Sequence, residues 1–392
     1  MSESIIYLDH AASTPMRQEA IEAMMPFLAG VYANPSGSHR FARQARRAVD
    51  EARDEVAAVV GVLPNEVVFT SCGTESDNMA VLGAVRRSGG TAVCSAAEHH
   101  AVLHAVESVE GSVVAVDRFG RIDLEALAAE LDAHARAGRE VAVVSVMAVN
   151  NEVGTVTDMA ATAAVVRRHA PSALLHTDAV QAPCWLDLRS VASHVDLLAL
   201  SAHKFGGPKG VGILVERGGP RVAPLIIGGG QERERRSGTH NVAGIVAAGV
   251  ALRLTDQERA FEIARLEPLR DRLVDGLSER LDGVLETIPR DDHDVTRAAG
   301  SAHVCISGVE SESLLFLLDG AGVCASAASA CASGAMEPSH VLAAMGVPRE
   351  TALGALRLSL GHAITEADVD GGLDAIVAAV TRLREHAPTA IS

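Results

Sequence analysis

Along the chain, short apolar runs with strand character alternate with stretches in which apolar residues return every three or four positions. The runs at 67–71, 92–96, 113–116, 141–148, 173–178, 195–200 and 211–215 predict strands. The periodic stretches predict helices up to about residue 28, over 41–60, from 79 to 85, opening at 98–102, through Leu124, Leu127 and Leu131, and over 159–169. Strands that alternate with helices imply right-handed crossovers and a mainly parallel sheet. After residue 215 the pattern changes. A long helical stretch is expected from about 242 to 282, followed by strands near 303–307 and 356–360 with helices near 311–319, 338–345 and 366–385. This reads as a smaller α+β unit.

Composition narrows the class. With 392 residues the chain is too long for one ordinary core. The expected division is a large domain over 15–255 and a small one built from 1–14 and 256–392. The core is drawn from Ala, Val and Leu, since apolar residues make up 48 % and aromatic ones 3 %. The net charge of −16 argues against a nucleic-acid surface, which needs clustered Lys and Arg, and fits a small-molecule substrate. The first residues, Met1-Ser2-Glu3-Ser4-Ile5-Ile6, lack the basic start and apolar stretch of a signal peptide, and no apolar run approaches the ~20 residues that span a bilayer. A cytoplasmic protein without membrane contact is therefore expected. None of the six cysteines (Cys72, Cys94, Cys184, Cys305, Cys324, Cys331) forms a CxxC pair, so most are expected to be small buried residues. No metal site is expected.

The polar residues fall where the strands end, which is where open α/β sheets hold ligands. Lys204 follows the apolar run 195–200 and precedes Phe205-Gly206-Gly207-Pro208. A lysine there is either a strand-end cation reaching solvent or an amine kept for a Schiff base with an aldehyde cofactor. The run 67–71 leads into Cys72-Gly73-Thr74-Glu75-Ser76-Asp77-Asn78. Thr74 followed by Asp77 resembles a capping box, and the segment is either an ordinary capped helix or a phosphate-holding helix start. With His99, Asn151, Asp178, Gln181 and Lys204 these parts form a set that pyridoxal phosphate requires. The phosphate wants a helix N-terminus and hydroxyls, the pyridine nitrogen a carboxylate, and the aldehyde a lysine.

On these residues the chain closely resembles the cysteine desulfurases of the NifS/IscS class, members of the fold-type I pyridoxal phosphate enzymes. The stretches that carry the resemblance run in order over nearly the whole chain: Tyr7-Leu8-Asp9-His10-Ala11-Ala12, Asn34-Pro35-Ser36, 70–78, Glu98-His99, 150–154, Thr177-Asp178-Ala179-Val180-Gln181, Ser201-Ala202-His203-Lys204, Arg236-Ser237-Gly238-Thr239, Ser329-Ala330-Cys331 and 356–361. The resemblance implies a large domain with a seven-stranded, mainly parallel sheet. Lys204 would bind the cofactor and later move protons at the substrate α-carbon. Asp178 would pair with the ring nitrogen, Gln181 with the ring hydroxyl, and His99 would stack on the ring. Gly73, Thr74, Ser201 and His203 would hold the phosphate, joined by Thr239 from a neighbouring subunit, which implies a homodimer with shared sites. Arg357 and Asn151 would bind the substrate carboxylate, Arg357 through a bidentate fork, unless it is a surface ion pair. Asn34 would line the same pocket or serve as a turn residue.

Cys331 decides the implied reaction. Its Ala-, Ser- and Gly-rich surroundings suggest a flexible loop with a reachable thiol. L-cysteine would become L-alanine, with the sulfur left on Cys331 as a persulfide for an acceptor such as an iron–sulfur scaffold. A selenocysteine lyase, a class V aminotransferase and a non-catalytic carrier share much of this pattern. Two departures stand out: Ala328 where the family has Gly, and Gly361-His362 where it has Gly-Arg.

Overall fold

A computed structural model describes residues 5–290, 295–327 and 339–386. The strands, in chain order, are β1 (Ile6–Tyr7), β2 (Val67–Thr70), β3 (Thr91–Ser95), β4 (Ser112–Val114), β5 (Val141–Ser145), β6 (Leu174–Asp178), β7 (Leu197–Ser201), β8 (Gly212–Glu216), β9 (Val284–Glu286), β10 (Ser301–Ile306), β11 (Val323–Cys324) and β12 (Ala355–Ser359). The helices are α1 (Gln18–Ala29), α2 (Arg40–Val60), α3 (Gly73–Ser88), α4 (His100–Glu107), α5 (Leu124–Arg136), α6 (Met159–His169), α7 (Leu188–His194), α8 (Val242–Arg280), α9 (Ser311–Gly320), α10 (His340–Ala344), α11 (Arg349–Ala352) and α12 (Glu366–His386).

Seven strands form one sheet in the order β2-β8-β7-β6-β5-β3-β4. Within it β8 alone runs against its neighbours β2 and β7, and the other pairings are parallel. Its strands are buried on both faces, which explains why they read as near-continuous apolar runs. The two-residue alternation still sorts the faces. Val68, Ala92, Cys94 and Leu214 pack under α3 and α4. Val67, Phe69, Val93, Ile213 and Val215 face the opposite layer, which includes α2, α5, α6, α7 and the first part of α8.

A second core gathers on the antiparallel sheet β12-β10-β9 and joins α9, α12 and Leu266 to Leu277 of α8. The 39-residue α8 therefore threads both cores, and the expected boundary at 255/256 falls inside it. The short pair β1–β11, with Ile6 opposite Val323, ties the start of the described chain to this second core. Among the described residues no helix is long and apolar enough to cross a membrane.

Candidate active site

The parallel strands aim their C-terminal ends at one cleft. β6 ends at Asp178, and β7 ends at Ser201, after which a single tight turn (Ala202–Lys204) carries His203 and Lys204. The loops after β3 and β5 bring His99 and Asn151, and β2 leads to the start of α3. Together Gly73, Thr74, His99, Asn151, Asp178, Gln181, Ser201, His203, Lys204 and Arg357 line a cavity of about 330 Å³. Arg357 comes from β12, so the second core closes one wall. Asn34 and Thr239 do not line this cavity. Asn34 is exposed, and its Oδ1 accepts the Ser36 N–H at 2.9 Å, a turn-forming bond; Thr239 is exposed. Cys331 lies outside the described residues.

The start of α3 differs from the expected capping box. The N-cap is Cys72, whose Sγ accepts the Glu75 N–H, while the Glu75 carboxylate accepts the Ser71 N–H at 2.7 Å. Thr74 thus sits inside the first turn, and Asp77 is buried rather than capping. With the Glu75 N–H taken by Cys72, the Gly73 and Thr74 N–H groups are the ones with no preceding turn to bond to, and both residues line the cleft. A Cβ at Gly73 would lie 2.8 Å from Val180 Cγ2 and 3.3 Å from Ser201 Cβ, so glycine lets this turn approach β6 and β7 closely. With the Thr74 and Ser201 hydroxyls nearby, the residues present fit a phosphate.

Lys204 Nζ donates to the carbonyl oxygens of Ala11 at 2.5 Å and Ala12 at 3.0 Å. Burial, and next the Arg357 charge, push its amine down to about 8, so a share of it is unprotonated near neutral pH. Gln181 Nε2 also donates to Ala11 O, at 2.8 Å. Asp178 is buried, and one of its carboxylate oxygens accepts the Val180 N–H at 2.8 Å. Burial pushes it up to about 6, against the pull of that N–H and of Lys204. A carboxylate so placed is suited to a protonated ring nitrogen. His99 Nδ1 accepts the Ala101 N–H at 3.1 Å, which puts the proton of the neutral ring on Nε2. Desolvation, then the Lys204 charge, hold His99 near 4, and the same two causes hold His203 near 4.

Arg357 is oriented from two sides. Its guanidinium donates to Asp9 Oδ1 at 2.6 Å and to Asn151 O at 3.0 Å, while its buried Nε has no partner among the described residues. It is a buried ion pair with a donor to spare rather than a surface one. Sequence reasoning gave no role to Asp9 or Ala11, although both stand in a stretch that carried the resemblance. Neither signals its task alone: Asp9 works by aiming Arg357, and Ala11 by its carbonyl oxygen.

The family model described as aminotransferase class-V matches residues 6–371. A protein from Dictyoglomus turgidum described as cysteine desulfurase IscS is 40 % identical over 391 residues, covering 98 % of this chain and 96 % of that one. An IscS-like cysteine desulfurase from Mycobacterium tuberculosis is 43 % identical, covering 97 % and 98 %. Among solved structures, a NifS-like protein superposes with a TM-score of 0.86 at 34 % identity, covering 97 % of this chain and 100 % of that one. Another, described as SspA in complex with cysteine, has a TM-score of 0.74 at 29 % identity, covering 90 % and 98 %. The chain belongs to the class-V aminotransferase family and, within it, is a pyridoxal-phosphate-dependent cysteine desulfurase.

Proposed function

We propose that the cleft between the two cores is the desulfurase site and that its residues divide the work as follows. The cofactor, when bound, supplies the electron sink that lets the substrate α-carbon lose its proton and weakens the Cβ–S bond. Gly73, Thr74, Ser201 and His203 hold its phosphate, Asp178 faces its ring nitrogen, Gln181 faces its ring hydroxyl and His99 covers its face. Lys204 holds the cofactor at rest and moves the proton at the substrate α-carbon. Its depressed amine supports both tasks. Arg357, aimed by Asp9 and Asn151, receives the substrate carboxylate, which the spare Nε supports. Asn34 contributes to the same pocket only if another subunit brings it there.

Cys331 attacks the sulfur of the bound cysteine. Its thiolate takes that sulfur as a persulfide while the three-carbon product accepts the electron pair and leaves, once protonated, as alanine. The persulfide then passes to an acceptor protein such as an iron–sulfur scaffold. The enzyme works as a homodimer in which Thr239 reaches the phosphate of the neighbouring subunit, and in the cytoplasm, which suits its five free described thiols. Within the chain, 15–255 form the cofactor domain, and 1–14 with 256–392 the domain that carries Cys331.

The observation that carries this reading is the convergence of Lys204, Asp178, Gln181, His99 and Arg357 on one cleft. The test is Cys331→Ala. It should keep the visible cofactor band and lose both alanine and sulfide formation from cysteine. Full activity in that variant would sink the role of Cys331.

A further inference from the structure

At the floor of the cleft lies a buried cluster of ionisable side chains that no step above uses. Asp77, on α3, is 1 % exposed, and Glu98 and His176 are fully buried. Glu98 accepts the Met147 N–H at 2.6 Å through one oxygen, and its other oxygen has no hydrogen-bond partner among the described residues. Asp77 Oδ1 and His176 Nε2 also lack one, yet they face each other at 3.6 Å. His176 Nδ1 lies 2.8 Å from Ser145 Oγ.

The ionisable groups around Asp77 are Asp178 and His176 on β6, Glu98 before α4, and Cys72 at the N-cap of α3. Among the described residues no Lys or Arg pairs with Asp77, and the cation that faces Asp178 is Lys204. Three carboxyls therefore lie close together away from water, with Lys204 facing Asp178 and no cation facing Asp77 or Glu98 among the described residues. Three ionised acids there would repel one another strongly at low dielectric. A proton on Asp77 removes the cost of a buried charge that no cation meets. His176 Nδ1–H then donates to Ser145 Oγ, and its neutral Nε2 faces the Asp77 hydroxyl at 3.6 Å, longer than a hydrogen bond.

We propose that Asp77 is a positioning residue. As a neutral acid facing His176, with Glu98 neutral beside it, Asp77 leaves Asp178 as the sole anion of the cleft floor, opposite the cofactor ring nitrogen. The surroundings agree with this arrangement. Burial, and then Asp178 and Glu98, push Asp77 well above the usual carboxylate range, and burial with Asp178 does the same to Glu98. Burial holds His176 near 3, which makes it a neutral acceptor.

The inference rests on Asp178 facing the ring nitrogen, and the experiment separates the two ideas. Infrared spectra of the cofactor-free protein near neutral pH, in H₂O and D₂O, should show protonated-carboxyl bands. Asp77→Asn should remove one band and Glu98→Gln another, a readout that needs no cofactor. In the cofactor-loaded protein, the pH midpoint of the visible band should stay within about 0.3 unit on Asp77→Asn, because one neutral group replaces another. Carboxyl bands unchanged in Asp77→Asn, or a midpoint moved by more than that in either direction, overturns the proposal. Failure of the Asp178 role would look different: Asp178→Asn would leave the visible-band midpoint unmoved while the carboxyl bands persist.

Discussion

Glu232 and Asp77 are both hidden from water, at 5 % and 1 % exposure, and they end in opposite charge states. Glu232 lies in the turn Gln231–Glu234, where Glu232, Arg233 and Glu234 all have positive φ (49°, 57° and 68°). Its carboxylate receives both terminal nitrogens of Arg53, at 2.6 and 2.8 Å, and the Phe69 N–H at 2.8 Å, with His240 Nε2 at 2.7 Å. Burial works to raise it, but the bonds to His240 and Arg53 win and hold it near 2. Asp77 has no such fork, only other acids and a neutral imidazole, and it is pushed up instead. Burial makes an acid neutral by default, and a guanidinium placed against it reverses the outcome. The first arrangement anchors a strained turn. The second leaves ionisable groups poised beside a reacting centre.

Removing the fork is expected to have the largest effect. Arg53→Met strands a buried carboxylate and should destabilise the protein by about 3–5 kcal/mol, read from denaturant unfolding. A change of less than about 1 kcal/mol would mean that the turn does not depend on the pair. At the cleft floor, Asp178→Asn removes the proposed lone anion and should lower kcat about 10²–10³-fold, the range for losing one preorganised electrostatic partner, with the fold intact by circular dichroism.

The smallest of these effects is a pH shift at Lys204. Its amine titrates near 8 rather than at the ordinary 10.5, first through burial and then through Arg357. The rate at which cofactor-free protein takes up pyridoxal phosphate should therefore rise with pH and level off above about 8. The folded amine loses its proton at lower pH than the unfolded one. The stability of the cofactor-free protein should accordingly rise as pH goes from about 8 to 10.5. An uptake midpoint near 10 would show that Lys204 behaves as a solvent lysine.

How much of this was legible in the sequence depends on the range over which each feature is encoded. The helices over 41–60 and 159–169 carry their own periodicity and appear as Arg40–Val60 and Met159–His169. The strand ends at Asp178 and Ser201 were visible because apolar runs stop at polar residues. β1 and β11 were not, since two-residue strands paired as Ile6 with Val323 have no local pattern. Nor were β9 and α7, which are short and packed by distant partners. The capping-box likeness of Thr74 and Asp77 does not hold, because spacing alone cannot tell a first-turn acid from one turned into the core. Glu98 stood in a recognised stretch and His176 beside one, but their burial, which defines their chemistry, is a tertiary property.

The central claim is that partners, and not burial alone, decide which buried acids carry charge. The most direct measurement compares the unfolding free energies of Asp77→Asn and Glu232→Gln near pH 7. Asp77 stays protonated in the folded state and ionises on unfolding, so at pH 7 its raised value works against the fold, an effect that fades as pH falls through 3.8. Asparagine needs no proton, and that variant should be at least as stable as the parent. Glu232 contributes stability above its unfolded value of 4.5, lost only as pH falls toward 2. Glutamine leaves Arg53 buried and unpaired and should lose about 3–5 kcal/mol. The reverse ranking, with Asp77→Asn the more damaging of the two, would contradict the account.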